Sequence, residues 1–139
     1  MCAYLTSCKK QINIVEKKLD SLAKDLKNNG LKFDYVCVRG ISGIMFVASF
    51  CRRFQRVSPF IVRKGEDSHG RDIEFDRTRN GRRVLIFDDF AETGDTINKL
   101  RESVESADMK VVGIVLYKRN SCYLTKTKLE EIFKVPVFM

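Results

Sequence analysis

The chain has 139 residues and a formal net charge of +8, from 26 Lys and Arg against 18 Asp and Glu. Its 44% hydrophobic and 32% charged residues form an ordinary globular balance, which excludes disorder and collagen-like repeats. A chain of this size builds one core, so we expect a single domain over residues 1–139. It has no apolar run near the roughly 18 residues of a membrane span and no leader-like N-terminal segment, so we expect neither a membrane protein nor a secreted one.

The N-terminal region, residues 1–32, is predicted to hold one amphipathic helix. Apolar residues recur in steps of three and four from Ile12 to Leu26, and Gly30 follows as a stop signal. Beyond it, short runs that are apolar throughout alternate with helical patterns, which predicts a parallel sheet covered on both faces, an α/β fold. We predict strands at 33–38, 59–62, 84–87, 111–117 and 135–138, and helices at 44–50, at 97–107 and around 129–133.

Residues 64–83 lose all hydrophobic periodicity and are predicted to form a long polar loop. A loop of this length within one domain is uncommon unless it works as a lid or a binding loop. The densest basic group of the chain runs from Arg63 to Arg83. This group suits an anionic partner. Charge alone does not decide whether that partner is a small polyphosphate or a nucleic acid.

The five cysteines are odd in number and scattered, with no metal-ligand spacing among them. Cys37 and Cys51 fall in apolar stretches, which favours reduced, packed thiols. Reduced thiols are typical of the cytoplasm, where we expect the protein to act.

The segment from Val84 to Thr96 carries the most chemical information. A buried strand ends in Asp88 and Asp89, a turn containing Thr and Gly follows, and a helix begins. Backbone N–H groups at a helix N-terminus, beside the Thr93 and Thr96 hydroxyls, form an anion site that fits a phosphate. The two carboxylates are suited to accepting hydrogen bonds from sugar hydroxyls or to holding Mg²⁺ through water. An N-capped helix after a core strand explains Thr96 but not the paired Asp residues.

The same segment resembles the motif with which type I phosphoribosyltransferases bind 5-phosphoribosyl 1-pyrophosphate (PRPP). That motif has four hydrophobic residues, two acids, two mostly hydrophobic residues, a variable residue and Thr-Gly-x-Thr. Two further segments are similar in the expected order. Val38 to Gly43 resembles the pyrophosphate loop, and Pro59 to Gly70 resembles the mobile loop of orotate phosphoribosyltransferases, including Arg63, Lys64 and His69.

The resemblance implies a Mg²⁺-dependent transfer of ribose 5-phosphate from PRPP to an orotate- or purine-type nucleobase, with release of pyrophosphate. It also implies a homodimer, because the mobile loop of the orotate enzymes reaches into the neighbouring subunit. Nucleic acid is the less favoured partner. The implied roles are ribose and water-mediated Mg²⁺ binding for Asp88 and Asp89; 5-phosphate binding for Glu92, Thr93, Gly94, Asp95 and Thr96; pyrophosphate binding for Arg39, Gly40, Arg63 and Lys64; and catalysis for Glu92, Lys64 and His69.

Three departures from the family pattern keep a second interpretation open. Asp67 stands where the orotate enzymes have a lysine that stabilises the leaving pyrophosphate. A carboxylate at this position would repel the negative charge of the pyrophosphate. Glu92 falls where hypoxanthine-guanine enzymes have an Asp near the purine, and it also fits a solvated carboxylate near a helix N-terminus. The hood, which sets base specificity, is minimal. The alternative is a non-catalytic relative that binds nucleotides or RNA, whereas P-loop and dinucleotide-binding motifs are absent from the sequence.

Overall fold

The computed structural model describes residues 2–63, 73–89, 91–118 and 124–139. No helix in these ranges is both long and apolar enough to cross a membrane. The helices are α1 (Cys2–Asn29), α2 (Gly40–Cys51), α3 (Asp95–Ser106) and α4 (Lys126–Phe133). The strands are β1 (Tyr35–Arg39), β2 (Ser58–Val62), β3 (Ile73–Phe75), β4 (Arg83–Asp88), β5 (Lys110–Leu116) and β6 (Val137–Phe138).

The described strands form one six-stranded sheet in the order β3-β2-β1-β4-β5-β6. All neighbouring pairs are parallel except β2 and β3, which pair antiparallel. The predicted α/β fold with a largely parallel sheet is therefore confirmed. Because parallel strands share one direction, the ends of β1 and β4 meet at the same edge of the sheet, called the carboxyl edge below.

Helices cover both faces of the sheet, as the uniformly apolar strands predict. Val36 and Val38 of β1 face the cluster built with α1 and α2, whereas Tyr35 and Cys37 face the cluster built with α3 and α4. This alternation follows from the two-residue period of a strand, and each face needs its own helical cover.

The two described cysteines of the core are free thiols, as predicted. Cys37 and Cys51 are buried, and burial raises the pKa of both thiols, that of Cys51 to about 12. A thiol that stays protonated is a poor nucleophile, so both act as packing residues. The cytoplasmic location stays a prediction.

The start of α2 and an added strand, β3, differ from the sequence expectation, besides small shifts at the ends of other elements. Helix α2 begins at Gly40 and not at Ile44, because Gly40 adopts a φ of 85° that turns the chain directly from β1 into the helix. The predicted loop over 64–83 contains strand β3, whose three residues are too few to show a period. Phe75 of β3 stacks on Phe60 at 4.8 Å between ring centroids, and this contact holds the strand on the sheet.

Candidate active site

The two adjacent carboxylates lie at the carboxyl edge, at the end of β4. Asp88 is the last residue of the strand, and its Oδ1 accepts the backbone N–H of Asp89 at 2.9 Å. The backbone carbonyls of Asp88 and Asp89 accept the N–H groups of Tyr117 at 3.1 Å and Lys118 at 2.7 Å. The chain beyond β4 thus stays paired with the end of β5, which fixes both half-buried carboxylates at this edge.

A tight turn leads from the carboxylates into α3 and encloses a small cavity. The cavity measures about 60 Å³ and is lined by residues 91–97. This is about twice the ~30 Å³ that one water molecule occupies in the liquid. Gly94 caps the helix with a φ of 88°, a conformation that glycine adopts without steric cost. The first N–H groups of a helix have no partner within it and carry partial positive charge, so the turn suits an anion.

The predicted 5-phosphate residues come together in this turn, and their side chains are accessible. Thr93 Oγ1 accepts the backbone N–H of Asp95 at a long 3.3 Å, which leaves the Thr93 hydroxyl hydrogen available to a ligand. Glu92, Thr93, Asp95 and Thr96 are exposed. The exposure of Asp95 agrees with the electrostatics, because a carboxylate turned toward a bound phosphate would weaken it.

A second helix N-terminus lies at the same edge, beside the carboxylates. In the register of β1 and β4, Cys37 pairs with Ile86, so two residues further along Arg39 and Asp88 end their strands side by side. Gly40 follows Arg39 as the first residue of α2. The guanidinium and the first N–H groups of α2 therefore offer positive charge next to the acids.

The other predicted pyrophosphate and catalytic residues are Arg63, directly after β2, and Lys64 and His69 in the 64–83 segment. Arg63 follows β2 at the carboxyl edge and forms an ion pair with Glu74 of β3. Both side chains are more than half exposed, so the pair is weak and open to exchange for a stronger anion. Lys64, Asp67 and His69 lie outside the described residues.

The donor set at the carboxyl edge suits magnesium. Asp88 and Asp89 offer the hard carboxylate oxygens that Mg²⁺ prefers. In the described part of the chain, no group of three or more His, Cys, Asp or Glu side chains could hold a metal by itself. The ion would therefore complete its coordination with water and substrate oxygens, as Mg²⁺ commonly does at phosphate sites.

One surface feature escaped the sequence reasoning. Ile41 and Met45 on the first turns of α2 are 81% and 58% exposed, and Ile44 between them is also exposed. Ile14 on α1 adds to the apolar side chains left in water. The signal was present in the sequence, because α2 is apolar around most of its circumference and one sheet can bury only one side.

The fold and the site define the class of protein. The phosphoribosyl transferase domain family matches residues 10–138, and the chain belongs to this family. No curated protein sequence matches the chain.

Solved structures of three enzymes share this fold. Orotate phosphoribosyltransferase from Francisella tularensis is 18% identical, with a TM-score of 0.67 over 89% of this chain and 64% of its own. Adenine phosphoribosyltransferase from Saccharomyces cerevisiae is 21% identical, with a TM-score of 0.67 over 90% of this chain and 77% of its own. A hypoxanthine phosphoribosyltransferase from Staphylococcus aureus is 20% identical, with a TM-score of 0.51 over 78% and 68% of the two chains.

These findings confirm the family and the type I fold that the motif predicted. The relatives are enzymes, and the prediction of membership in an enzyme family is confirmed with them. The chain spans about two thirds of the length of the orotate enzyme, and at these identities the likeness establishes the fold alone.

Proposed function

We propose that the protein transfers ribose 5-phosphate from PRPP to a nucleobase and releases pyrophosphate. The observation that carries the proposal is the strand–turn–helix unit from Arg83 to Ser106. In this unit, two carboxylates and a turn that ends in a helix N-terminus lie side by side at the carboxyl edge, which supports the proposal. PRPP needs both, because its ribose carries hydroxyl donors next to a 5-phosphate.

In this proposal each part of PRPP meets a matching part of the edge. Backbone N–H groups of residues 92–96, with the hydroxyls of Thr93 and Thr96, donate to the 5-phosphate. The carboxylates of Asp88 and Asp89 accept the ribose hydroxyls and hold Mg²⁺ through water. The bound ion supplies charge neutralisation for the pyrophosphate.

The pyrophosphate of PRPP binds across the ends of β1 and β2. Arg39 and the first N–H groups of α2, from Gly40 onward, form one side of this site. Arg63 and Lys64 form the other, and Arg63 exchanges Glu74 for the pyrophosphate when the substrate arrives. Arginine suits this exchange because its planar donors match phosphate oxygens in pairs.

The reaction breaks the C1–O bond to pyrophosphate and forms a C1–N bond to the base, with inversion at C1. The bond electrons leave with the pyrophosphate, and the ribose passes through an oxocarbenium-like state that the protein stabilises by position and charge. Lys64 and His69 act on the leaving group, and Glu92 exchanges a proton with the base.

We also propose a homodimer as the working form. The exposed apolar surface of α2 lies next to the carboxyl edge, where the loop of a second copy would enter. Covering Ile41 and Met45 with the same surface of a partner removes apolar area from water. Analytical ultracentrifugation tests this: Met45→Glu should shift the wild-type dimer toward monomer, and a monomeric wild type at high concentration would contradict the proposal.

A PRPP-dependent assay of pyrophosphate release tests the transferase activity. We expect release with at least one of orotate, hypoxanthine, guanine, adenine and uracil, and loss of it in Asp88→Asn/Asp89→Asn. Because Asp67 opposes the charge of the leaving group, Asp67→Lys should increase the rate with the accepted base. No release with any base, by the wild type or Asp67→Lys, would favour a non-catalytic nucleotide-binding relative.

A further inference from the structure

A second and larger cavity lies at the opposite, amino edge of the sheet. It measures about 750 Å³ and is bounded by the end of α1, the segment before β1 and the segment between α2 and β2. A five-residue strand at ~3.3 Å per residue separates this edge from the carboxyl edge by about 13 Å. The charged residues that line the cavity are Lys27, Lys32, Asp34, Arg52, Arg53, Arg56 and Arg83.

Two of the four arginines that line the cavity, Arg53 and Arg83, are paired with carboxylates. Arg83 is paired with Asp34. The backbone N–H and the Nε–H of Arg83 each donate to Asp34 Oδ2 at 3.0 Å, and Arg83 Nη2 donates to Asp34 Oδ1 at 3.1 Å. Arg53 bridges α1 and α2 through ion pairs with Glu16 and Asp20, both at 2.8 Å. These pairs hold the walls of the cavity together.

Four cations remain in or around the cavity. Within the described residues, Lys32, Arg52 and Arg56 form no ion pair, and Lys27 Nζ lies 5.3 Å from the ring centroid of Phe54. Arg56 adopts a φ of 61°, which is uncommon for a residue with a side chain. Like charges gathered in one concave site repel each other, and an anion between them relieves that repulsion.

Apart from the polar Gln55 and the buried Phe33, the rest of the lining is apolar and half-buried. Leu31, Phe54 and Val57 supply it, and Phe54 packs edge-on against Phe33 at 5.0 Å between ring centroids. The volume lies within the ~300–1,000 Å³ of small-molecule sites, which combine an apolar lining with a few polar groups. The cavity thus matches a ligand that has both an anionic part and an apolar, planar part.

We propose that this cavity binds a nucleoside triphosphate, with the phosphates on the four cations and the base against Leu31, Phe54 and Val57. A triphosphate carries about four negative charges at neutral pH, which balances the unpaired cations. An extended nucleic acid fits less well, because Glu16 and Asp20 lie beside the cavity and would face its phosphates. This site is separate from the carboxyl edge, and its assignment does not depend on transferase activity.

Calorimetric titration of the full chain with ATP tests the proposal. Arg52→Gln/Arg56→Gly removes two of the cations, and glycine suits the backbone conformation at position 56. We expect this variant to bind ATP at least about tenfold more weakly than the wild type. Lys126→Gln/Lys128→Gln is the matched control, because it removes the same charge from exposed positions on α4, across the sheet, and should bind within about twofold of the wild type.

Three further arms locate the site and the chemistry. Asp88→Asn/Asp89→Asn should keep the wild-type ATP affinity, whereas a loss there would move the binding to the carboxyl edge and overturn the proposal. Inorganic triphosphate should bind more weakly than ATP. Equal affinities would contradict the proposed contacts of the base with the apolar lining. A single-stranded oligonucleotide that binds more tightly than ATP, and weakens in Arg52→Gln/Arg56→Gly, would replace the proposal with a nucleic-acid surface.

Equal ATP affinity in Arg52→Gln/Arg56→Gly and the matched control would also overturn the assignment, as would a wild type that does not bind ATP. Circular dichroism and thermal unfolding of each variant confirm that the folded state is compared. Lys32→Gln provides a second, single-charge variant on another wall of the cavity, and it should weaken ATP binding in the same direction.

Discussion

The two edges of the sheet use charge in different ways. At the amino edge, Asp34 is held by Arg83, and Arg53 joins α1 to α2 through Glu16 and Asp20. At the carboxyl edge, the side chains of the 92–96 turn stand in water, and two helices begin beside the carboxylates of β4. The ion pairs at the first edge connect elements of the fold, whereas the second edge leaves the side chains of its turn exposed and two helix N-termini beside the carboxylates.

This difference separates stability from binding in a testable way. Substitutions of exposed groups in the carboxyl-edge turn should reduce binding and leave the free energy of unfolding almost unchanged. Substitutions of packed or paired groups near the amino edge should do the reverse. A functional site commonly keeps polar groups that the fold does not need, since they are reserved for the ligand.

The largest effect is expected from Thr93→Val/Thr96→Val in the turn. At the proposed site each hydroxyl would donate to a charged phosphate, and such hydrogen bonds contribute about 1.5–3 kcal/mol each. We expect the affinity for PRPP with Mg²⁺ to fall about a hundredfold or more by calorimetry. The melting temperature should fall only slightly, because the variant loses the long hydrogen bond from Asp95 N–H to Thr93 Oγ1. Thr127→Val, at an exposed position of α4, is the matched control. A parallel loss in both variants would show that the turn is not the phosphate site.

Glu92→Gln should affect turnover and not substrate binding. A group that exchanges a proton with the base contributes about a hundredfold or more to the rate, so kcat should fall by about that factor at unchanged PRPP affinity. The pH profile of kcat should lose one of its limbs. If kcat and its pH profile stay those of the wild type, Glu92 is only a solvated carboxylate near the N-terminus of α3.

Gly113→Ala should destabilise the fold without touching the ligand edge. A Cβ at this position of β5 would lie 2.8 Å from Leu31 Cδ2 and 3.0 Å from Leu85 Cδ1, too close for ordinary contact. Overpacking of this kind costs about 1–3 kcal/mol, which urea unfolding measures. The PRPP affinity of the folded variant should equal that of the wild type, and an unchanged unfolding midpoint would contradict the packing account.

Asp34→Asn should have the smallest effect, with a defined pH dependence. The Arg83 guanidinium that donates to Asp34 holds the pKa of this carboxyl below its ordinary value. A lowered folded pKa stabilises the protein above the unfolded value of about 3.9, and the contribution disappears as the pH falls through the folded pKa. Because Arg83 is half exposed, we expect a loss of about 1 kcal/mol between pH 5 and pH 7, shrinking below about pH 4. A difference that grows toward low pH would contradict the pairing.

Much of the fold followed from local pattern. Strands β1, β4 and β5 were predicted correctly because each is apolar between its ends. The motif at Asp88 and Asp89 predicts that the ligand binds at the carboxyl edge. Strand β3 was not predicted, because three residues are too few to show a pattern. It depends on the contact of Phe75 with Phe60, which lies on another strand. The predicted start of α2 was four residues too late, because a glycine after a strand is typical of a loop. In the structure Gly40 has a positive φ and is the first residue of the helix.

The amino-edge cavity could not be predicted from the sequence, because it also depends on contacts between distant segments. Lys32, Arg52 and Arg56 belong to two separate segments that only the fold brings together. Which charges remain unpaired depends on the partners that Arg53 and Arg83 find in three dimensions. A net charge of +8 predicts an anionic partner but does not show where on the protein that partner binds.

Calorimetric titration of PRPP with Mg²⁺ into the wild type and into Asp88→Asn/Asp89→Asn tests the central claim most directly. The substitutions keep the size of both side chains and remove the charge that, in the proposed site, would accept the ribose hydroxyls and hold the ion. Charge-assisted hydrogen bonds contribute about 1.5–3 kcal/mol each, so PRPP binding by the variant should fall at least about a hundredfold. Identical titrations of the two proteins would contradict the assignment of the PRPP site to the carboxyl edge.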